Sequence, residues 1–127
     1  MTGAVVAAIL VAGAAGSILR YLTTRAFASN NRFPWAVLIV NAAGSALGGT
    51  LAGLAHIGTI DPNLEVVLLT GLCGGLTTFS TLSVETIQSV TLKRVRTALV
   101  SVAANLVVGI GAAAATYFWL IALATEL

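Results

Sequence analysis

Gly71-Leu72-Cys73-Gly74-Gly75-Leu76-Thr77-Thr78-Phe79-Ser80-Thr81-Leu82-Ser83 is the stretch on which the reading of this chain turns. It sits between an apolar run, Glu65–Leu72, and a second run with helical character, Val84–Leu92. A uniformly apolar segment of this length would cross a bilayer once, because roughly 20 helical residues span about 30 Å of hydrocarbon. The middle of this one is made of glycines and hydroxyls instead. Glycine is about 1 kcal/mol poorer than alanine in a helix, and Ser and Thr side chains compete for backbone hydrogen bonds. Two conformations are open: a continuous helix whose hydroxyls bond their own i−4 carbonyls, or a helix broken near residues 74–83. The Gly-Gly pair flanked by hydroxyls favours the break. Backbone freed at membrane depth survives only where protein or a water-filled cavity satisfies it. Broken helices of this kind aim carbonyls and N–H groups at ions.

The rest of the chain supports a membrane setting. Of 127 residues, 58% are hydrophobic and only 8% charged, with a mean hydropathy of +1.03. Soluble domains carry about 25% charged residues. The sequence predicts an all-α integral membrane protein in one membrane domain, residues 1–127, with spans at about 3–22, 33–55, 64–92 (broken near 74–83) and 97–123. Met1–Gly3 has no Lys or Arg and the first apolar run continues to Leu19, so it reads as a retained span rather than a signal peptide. Pro34 fits the first turn of the second helix, where its missing N–H is harmless. Asp61, after Gly58, fits a cap for the third. Trp35 and the Tyr117-Phe118-Trp119 run suit membrane interfaces.

Several function classes are excluded by what the chain lacks. One cysteine, Cys73, and one histidine, His56, give no internal disulfide and no protein-made zinc site. The four carboxylates, Asp61, Glu65, Glu85 and Glu126, form no paired acid/base arrangement, and no P-loop or dinucleotide fingerprint is present. An enzyme and a nucleic-acid binder are both disfavoured. The net charge of +2 reads as a determinant of membrane orientation. Arg25 and Arg32 lie in the first loop and Lys93, Arg94 and Arg96 in the third, while the second loop and both tails have no Lys or Arg. With four spans, loops one and three share a side, and the positive-inside rule predicts that side to be cytoplasmic.

Polar residues inside spans are the remaining candidates. Asn41 in the second span serves equally as an interhelical hydrogen bond or as a donor to an anion; Asn105 in the fourth has the same two readings, with the structural one preferred. Phe79 is either a lipid-facing or core ring, or a ring edge presented to an anion. Arg20 snorkels to the interface or lines a vestibule. Glu85 pairs with Lys93 or Arg94, or faces a pore mouth. Small-xxx-small spacings at Gly44–Gly48 and Gly49–Gly53 permit close helix packing, and four short spans that must both line and shield a pathway call for an oligomer.

The run Gly71–Thr81, continued by Leu82-Ser83-Val84-Glu85, resembles the signature of the Fluc (CrcB) fluoride channels. Gly16-Ser17-Ile18-Leu19-Arg20-Tyr21, Pro34 with Val40-Asn41-Ala42-Ala43-Gly44, and Asn105 follow in the family's order. The resemblance covers essentially the whole chain. It implies passive, fluoride-selective export conferring fluoride resistance, in the inner (plasma) membrane of a prokaryote. It also implies an antiparallel dual-topology dimer with two fluoride pathways and a central structural Na+ held by the backbone carbonyls of Gly74 and Thr77. Asn41, Phe79, Ser80 and Thr81 would lie along the ion pathway, with Leu82 beside them and Arg20 and Glu85 at the vestibule.

Two features depart from the family pattern. Leu82 stands where the family has a second phenylalanine, so one polarised ring edge is missing. The five-to-zero bias of loop charges argues against insertion in both orientations. Together they raise a heterodimer with a paralogous subunit beside the homodimer, and within it a half-active or non-conducting subunit. A small multidrug-type transporter is the competing class, but it needs a carboxylate within a span, and Ala4–Leu19 holds none.

Overall fold

A computed structural model describes residues 1–28 and 33–126. Its elements are α1 (Gly3–Ala26), α2 (Trp35–His56), α3 (Pro62–Val66), a π-helical segment (Val67–Cys73), α4 (Gly74–Leu76), α5 (Phe79–Thr91) and α6 (Val95–Glu126). Four helical stretches are long and apolar enough to cross a membrane: Gly3–Ala26, Trp35–His56, Pro62–Thr91 and Val95–Glu126.

Every crossing begins or ends outside the limits expected from the sequence. α1 runs on to Ala26, where Thr23 and Thr24 bond the carbonyls of Leu19 and Arg20. Hydroxyls bonded to their own helix do not stop it. Pro34 stands at the N-cap of α2, one place outside the first turn. Asp61 caps α3, its carboxylate accepting from the N–H groups of Asn63 and Leu64. Arg32, counted among the loop charges, lies outside the described residues.

α2 and α5 end in the same way. Gly58 sits in the left-handed region (φ 71°) after α2, and Lys93 does so (φ 58°) after α5. The Thr59 N–H reaches back to Leu54 O at 2.9 Å and the Arg94 N–H to Ser89 O at 2.7 Å. Each is a Schellman cap, which satisfies carbonyls that the helix end would leave bare. Glycine is free there; lysine bears a local strain of about 1–2 kcal/mol.

The packing divides into two close-set pairs. α2 lies along α6, and α1 lies along the π segment and α4. Both depend on glycines. A Cβ at Gly49 would meet the Ala113 carbonyl and the Thr116 hydroxyl of α6. A Cβ at Gly75 would meet the Gly13 carbonyl, and one at Gly16 would meet the Leu72 carbonyl. The Gly74-Gly75 pair, read as a helix breaker, is helical here. Gly75 lets α1 approach, whereas a Cβ at Gly74 would meet only the Leu69 carbonyl at 3.9 Å. The Thr116 hydroxyl, donating 2.9 Å to Ala46 O, ties α6 to α2.

Gly49→Ala is therefore expected to destabilise the folded protein by about 1–3 kcal/mol, the usual cost of overpacking. Gly48→Ala, whose Cβ would meet nothing within 4 Å, is expected to leave stability unchanged or raise it slightly. Thermal unfolding of the two variants in detergent measures the difference.

Candidate functional site

The polar groups of the chain converge on Thr77 and Thr78. Helical winding ends at Leu76; Thr77 (φ −77°, ψ 157°) and Thr78 (φ −151°, ψ 121°) are extended, and winding resumes at Phe79. The interruption is two residues long, narrower than the 74–83 expected, because Ser80, Thr81 and Ser83 lie within α5. There the Ser83 hydroxyl bonds Phe79 O at 2.9 Å, the back-bonding that was the alternative for the whole region.

Extended backbone frees peptide groups, and each needs a partner. The Thr78 N–H donates to Asn41 Oδ1 at 2.8 Å, and Asn41 Nδ2 donates to Thr78 O at 3.1 Å. The carboxamide of Asn41 thus pairs with the peptide group as a neighbouring strand would. Its second Nδ2 hydrogen goes to Asn105 Oδ1 at 2.8 Å, and Asn105 Nδ2 returns to Ser101 O at 2.9 Å. Only one orientation of the Asn41 amide fits, since the Thr78 N–H requires an oxygen opposite it. Thr78 is the N-cap of α5: its Oγ1 accepts from the Thr81 N–H at 3.1 Å and donates to Thr81 Oγ1 at 2.9 Å. Ser80 Oγ lies 3.3 Å from the same oxygen.

α1 supplies a second set of partners. Arg20 Nη1 donates to Thr77 O at 3.2 Å, and Ser17 Oγ approaches Gly75 O at 3.5 Å. Arg20 is half-buried.

Opposite polarities meet at the interruption. Because the Thr78 N–H turns to Asn41, Gly74 O loses its helical i+4 partner. Because the Thr81 N–H turns to Thr78, Thr77 O loses its partner too. These freed oxygens end the first half of the crossing, while the first N–H groups of α5 open the second. Carbonyl ends of helices favour cations and N–H ends favour anions. Among the described residues no three His, Cys, Asp or Glu side chains come together; a cation held here would take main-chain oxygens, which suit a hard ion such as Na+. Gly74 is exposed and Thr77 half-buried. Two oxygens make only part of a coordination shell.

Beside the interruption opens a groove of about 440 Å³, lined by Asn41, Ser45, Thr77, Thr78, Phe79, Leu82, Val102, Asn105 and Leu106. Phe79 and Leu82 thus share one wall. Phe79 is 82% exposed, which in a bilayer means turned to lipid or to another subunit. Glu85 stands further along α5, half-buried, its Oε2 buried without a hydrogen-bond partner. It is therefore not held by Lys93 or Arg94, both of which are exposed.

Nine residues were candidates from the sequence. Asn41, Gly74, Thr77, Phe79, Ser80, Thr81 and Leu82 gather at the interruption or its groove, and Arg20 reaches it from α1. Glu85 is a turn beyond. Thr78, 6% exposed and the most connected residue of all, was missed as a site residue. Thr77, Thr78, Ser80 and Thr81 are four hydroxyls in five positions, and sequence alone does not single out which one caps the helix.

The fold and this site define a small multi-pass helical membrane protein whose polar groups collect where one crossing is interrupted. Residues 7–117 match the family model described as CrcB-like protein, Camphor Resistance (CrcB), and the chain belongs to that family. It is 39% identical over 108 residues to the fluoride-specific ion channel FluC 1 of Streptomyces avermitilis, covering 83% of this chain and 87% of that one. It is 36% identical over 118 residues to FluC of Erwinia tasmaniensis (91% and 94%), and 43% identical over 103 residues to FluC 2 of Bacillus subtilis (81% and 77%). Neither the transporter reading nor that of a non-conducting or half-active subunit is favoured.

Replacing Asn41 by alanine leaves the Thr78 N–H and C=O without their partner, at about 1–3 kcal/mol for each buried group left unpaired. Asn41→Ala is expected to lower thermal stability and to speed amide hydrogen exchange at Thr78. Asn105→Ala, which removes only a side-chain acceptor from Asn41, is expected to leave the exchange at Thr78 much slower.

Proposed function

We propose that this chain is a fluoride-selective channel subunit, letting the anion leave a prokaryotic cell passively across the plasma membrane and so conferring resistance to fluoride. The observation that carries the reading is the juxtaposition at Thr77–Thr78 of freed carbonyls, the N-terminus of α5 and an open groove walled by Phe79. Relatives named fluoride-specific ion channels, matched over most of their length, support it.

Dehydrating a small anion is costly, so the pathway must offer fixed donors. Asn41 is the natural one. Its bond to Thr78 O cannot be surrendered without orphaning a peptide group, whereas its bond to Asn105 Oδ1 joins two side chains and is exchangeable. An anion taking the place of Asn105 Oδ1 would still find Asn41 braced by Thr78. The edge of the Phe79 ring carries partial positive charge, and Ser80 and Thr81 hydroxyls continue the polar line into α5. Leu82 shares that wall and contributes no such edge. Gly74 and Thr77 carbonyls, with those of a second subunit, would hold the sodium ion. Bound there, it supplies a positive charge that offsets the field opposing an anion.

The partner is a second, inverted subunit in an antiparallel dimer. The loop-charge bias favours the second reading, a heterodimer with a paralogue of opposite orientation: among the described residues Arg25, Lys93, Arg94 and Arg96 are all exposed at one end of the bundle.

Liposomes loaded with fluoride and carrying this protein are expected to release it without a proton requirement and to retain chloride, as read by ion-selective electrodes. Phe79→Ala is expected to slow fluoride release by about tenfold, the loss of roughly one aromatic interaction. A C-terminal tag on the chain expressed in cells is expected to label from one face only; equal labelling from both faces restores the homodimer.

A further inference from the structure

Among the described residues Arg20 is the one cation that reaches the interruption, and its setting is unusual. It stands in mid-helix on α1, half-buried, and donates to a main-chain carbonyl rather than to a carboxylate. That carbonyl belongs to Thr77, whose own helical partner, the Thr81 N–H, has turned to Thr78. Gly16 and Ser17 seat α1 directly against this part of the chain: a Cβ at Gly16 would meet the Leu72 carbonyl, and Ser17 Oγ approaches Gly75 O. That packing places the Arg20 backbone close enough for its guanidinium to reach Thr77 O.

We infer that Arg20 is a resident counter-cation that competes with sodium for the Thr77 carbonyl and so sets how tightly the channel holds its central ion. The inference rests on the proposed sodium site. A carbonyl oxygen has two lone pairs, so the bond to Arg20 does not close the oxygen to an ion. It draws on the same negative charge, however, and places a like charge beside the ion in a medium of low dielectric, where repulsion is little screened. Arginine cannot relieve this by losing its proton. A site built only of neutral carbonyls would bind its ion more firmly than this one. The positive charge that the pathway requires would then be supplied in part by the protein and in part by the ion. Arg20 acts through Thr77 and is a positioning residue.

The test uses the assembled protein in detergent and reads thermal stability against sodium concentration, with N-methylglucamine holding the ionic strength. The expected result is that Arg20→Gln, which keeps a donor for Thr77 but removes the charge, lowers the sodium concentration of half-maximal stabilisation about tenfold, equivalent to about 1.4 kcal/mol. Arg20→Met is expected to do the same, and either variant suffices should the other fail to fold. Arg20→Lys, which keeps the charge, is expected to stay within about threefold of the parent. A purely structural role for Arg20 would lower the melting temperature without sodium and leave the half-maximal concentration unchanged; that result overturns the inference, as does a rise. A parent that sodium does not stabilise at all overturns the sodium site and this inference together, whereas a sodium-responsive parent with unresponsive variants overturns only the competition.

Discussion

A peptide group without a hydrogen bond is costly in hydrocarbon, and the two extended residues Thr77 and Thr78 create several at once. The pairing of the Asn41 carboxamide with both sides of the Thr78 peptide is what makes the interruption tenable. Everything else in the bundle serves to bring the right groups to that place. The glycines of α2 let it lie against α6, which puts Asn41 beside Asn105. The glycines of α1 and of the third crossing let those backbones touch, which brings Arg20 and Ser17 within reach. The tightest packing in the molecule is therefore a support for its most polar region.

The division of labour follows from polarity. Carbonyls released at Gly74 and Thr77 face one way along the chain and the first N–H groups of α5 face the other. One short interruption so brings a carbonyl end and an N–H end together, with no buried carboxylate among the described residues beside them. Arg20 adds fixed charge on the carbonyl side. The groove bounded by Phe79 and Leu82 opens beside Asn41 and the interruption, and the high exposure of Phe79 shows that a single chain does not close it.

Much of this was legible in the sequence, and the parts that were not have physical reasons. Four apolar stretches follow from hydropathy alone, because length and charge content are all the bilayer asks of them. The neighbourhood of the interruption followed from the run of glycines and hydroxyls. Its location did not, since Gly74 and Gly75 are helical and Gly75 serves packing against α1. A glycine that loosens a helix and a glycine that admits a neighbour look the same in one sequence. Asn41 and Arg20 stood out because polar groups in spans are rare, but their partners are main-chain atoms, which carry no sequence signature. Thr78 was hidden among neighbouring hydroxyls for the same reason. α1 ran past expectation where Thr23 and Thr24 bonded their own turn.

The connection between α5 and α6 is only Leu92, Lys93 and Arg94, folded back into a Schellman cap that brings a lysine into the left-handed region. So short a tether, already coiled, leaves no slack for α6 to ride along its neighbour by a helical turn, a step of about 5.4 Å. Relative movement of α5 and α6 is confined at that corner to swivelling or tilting, as in a folding rule, rather than telescoping.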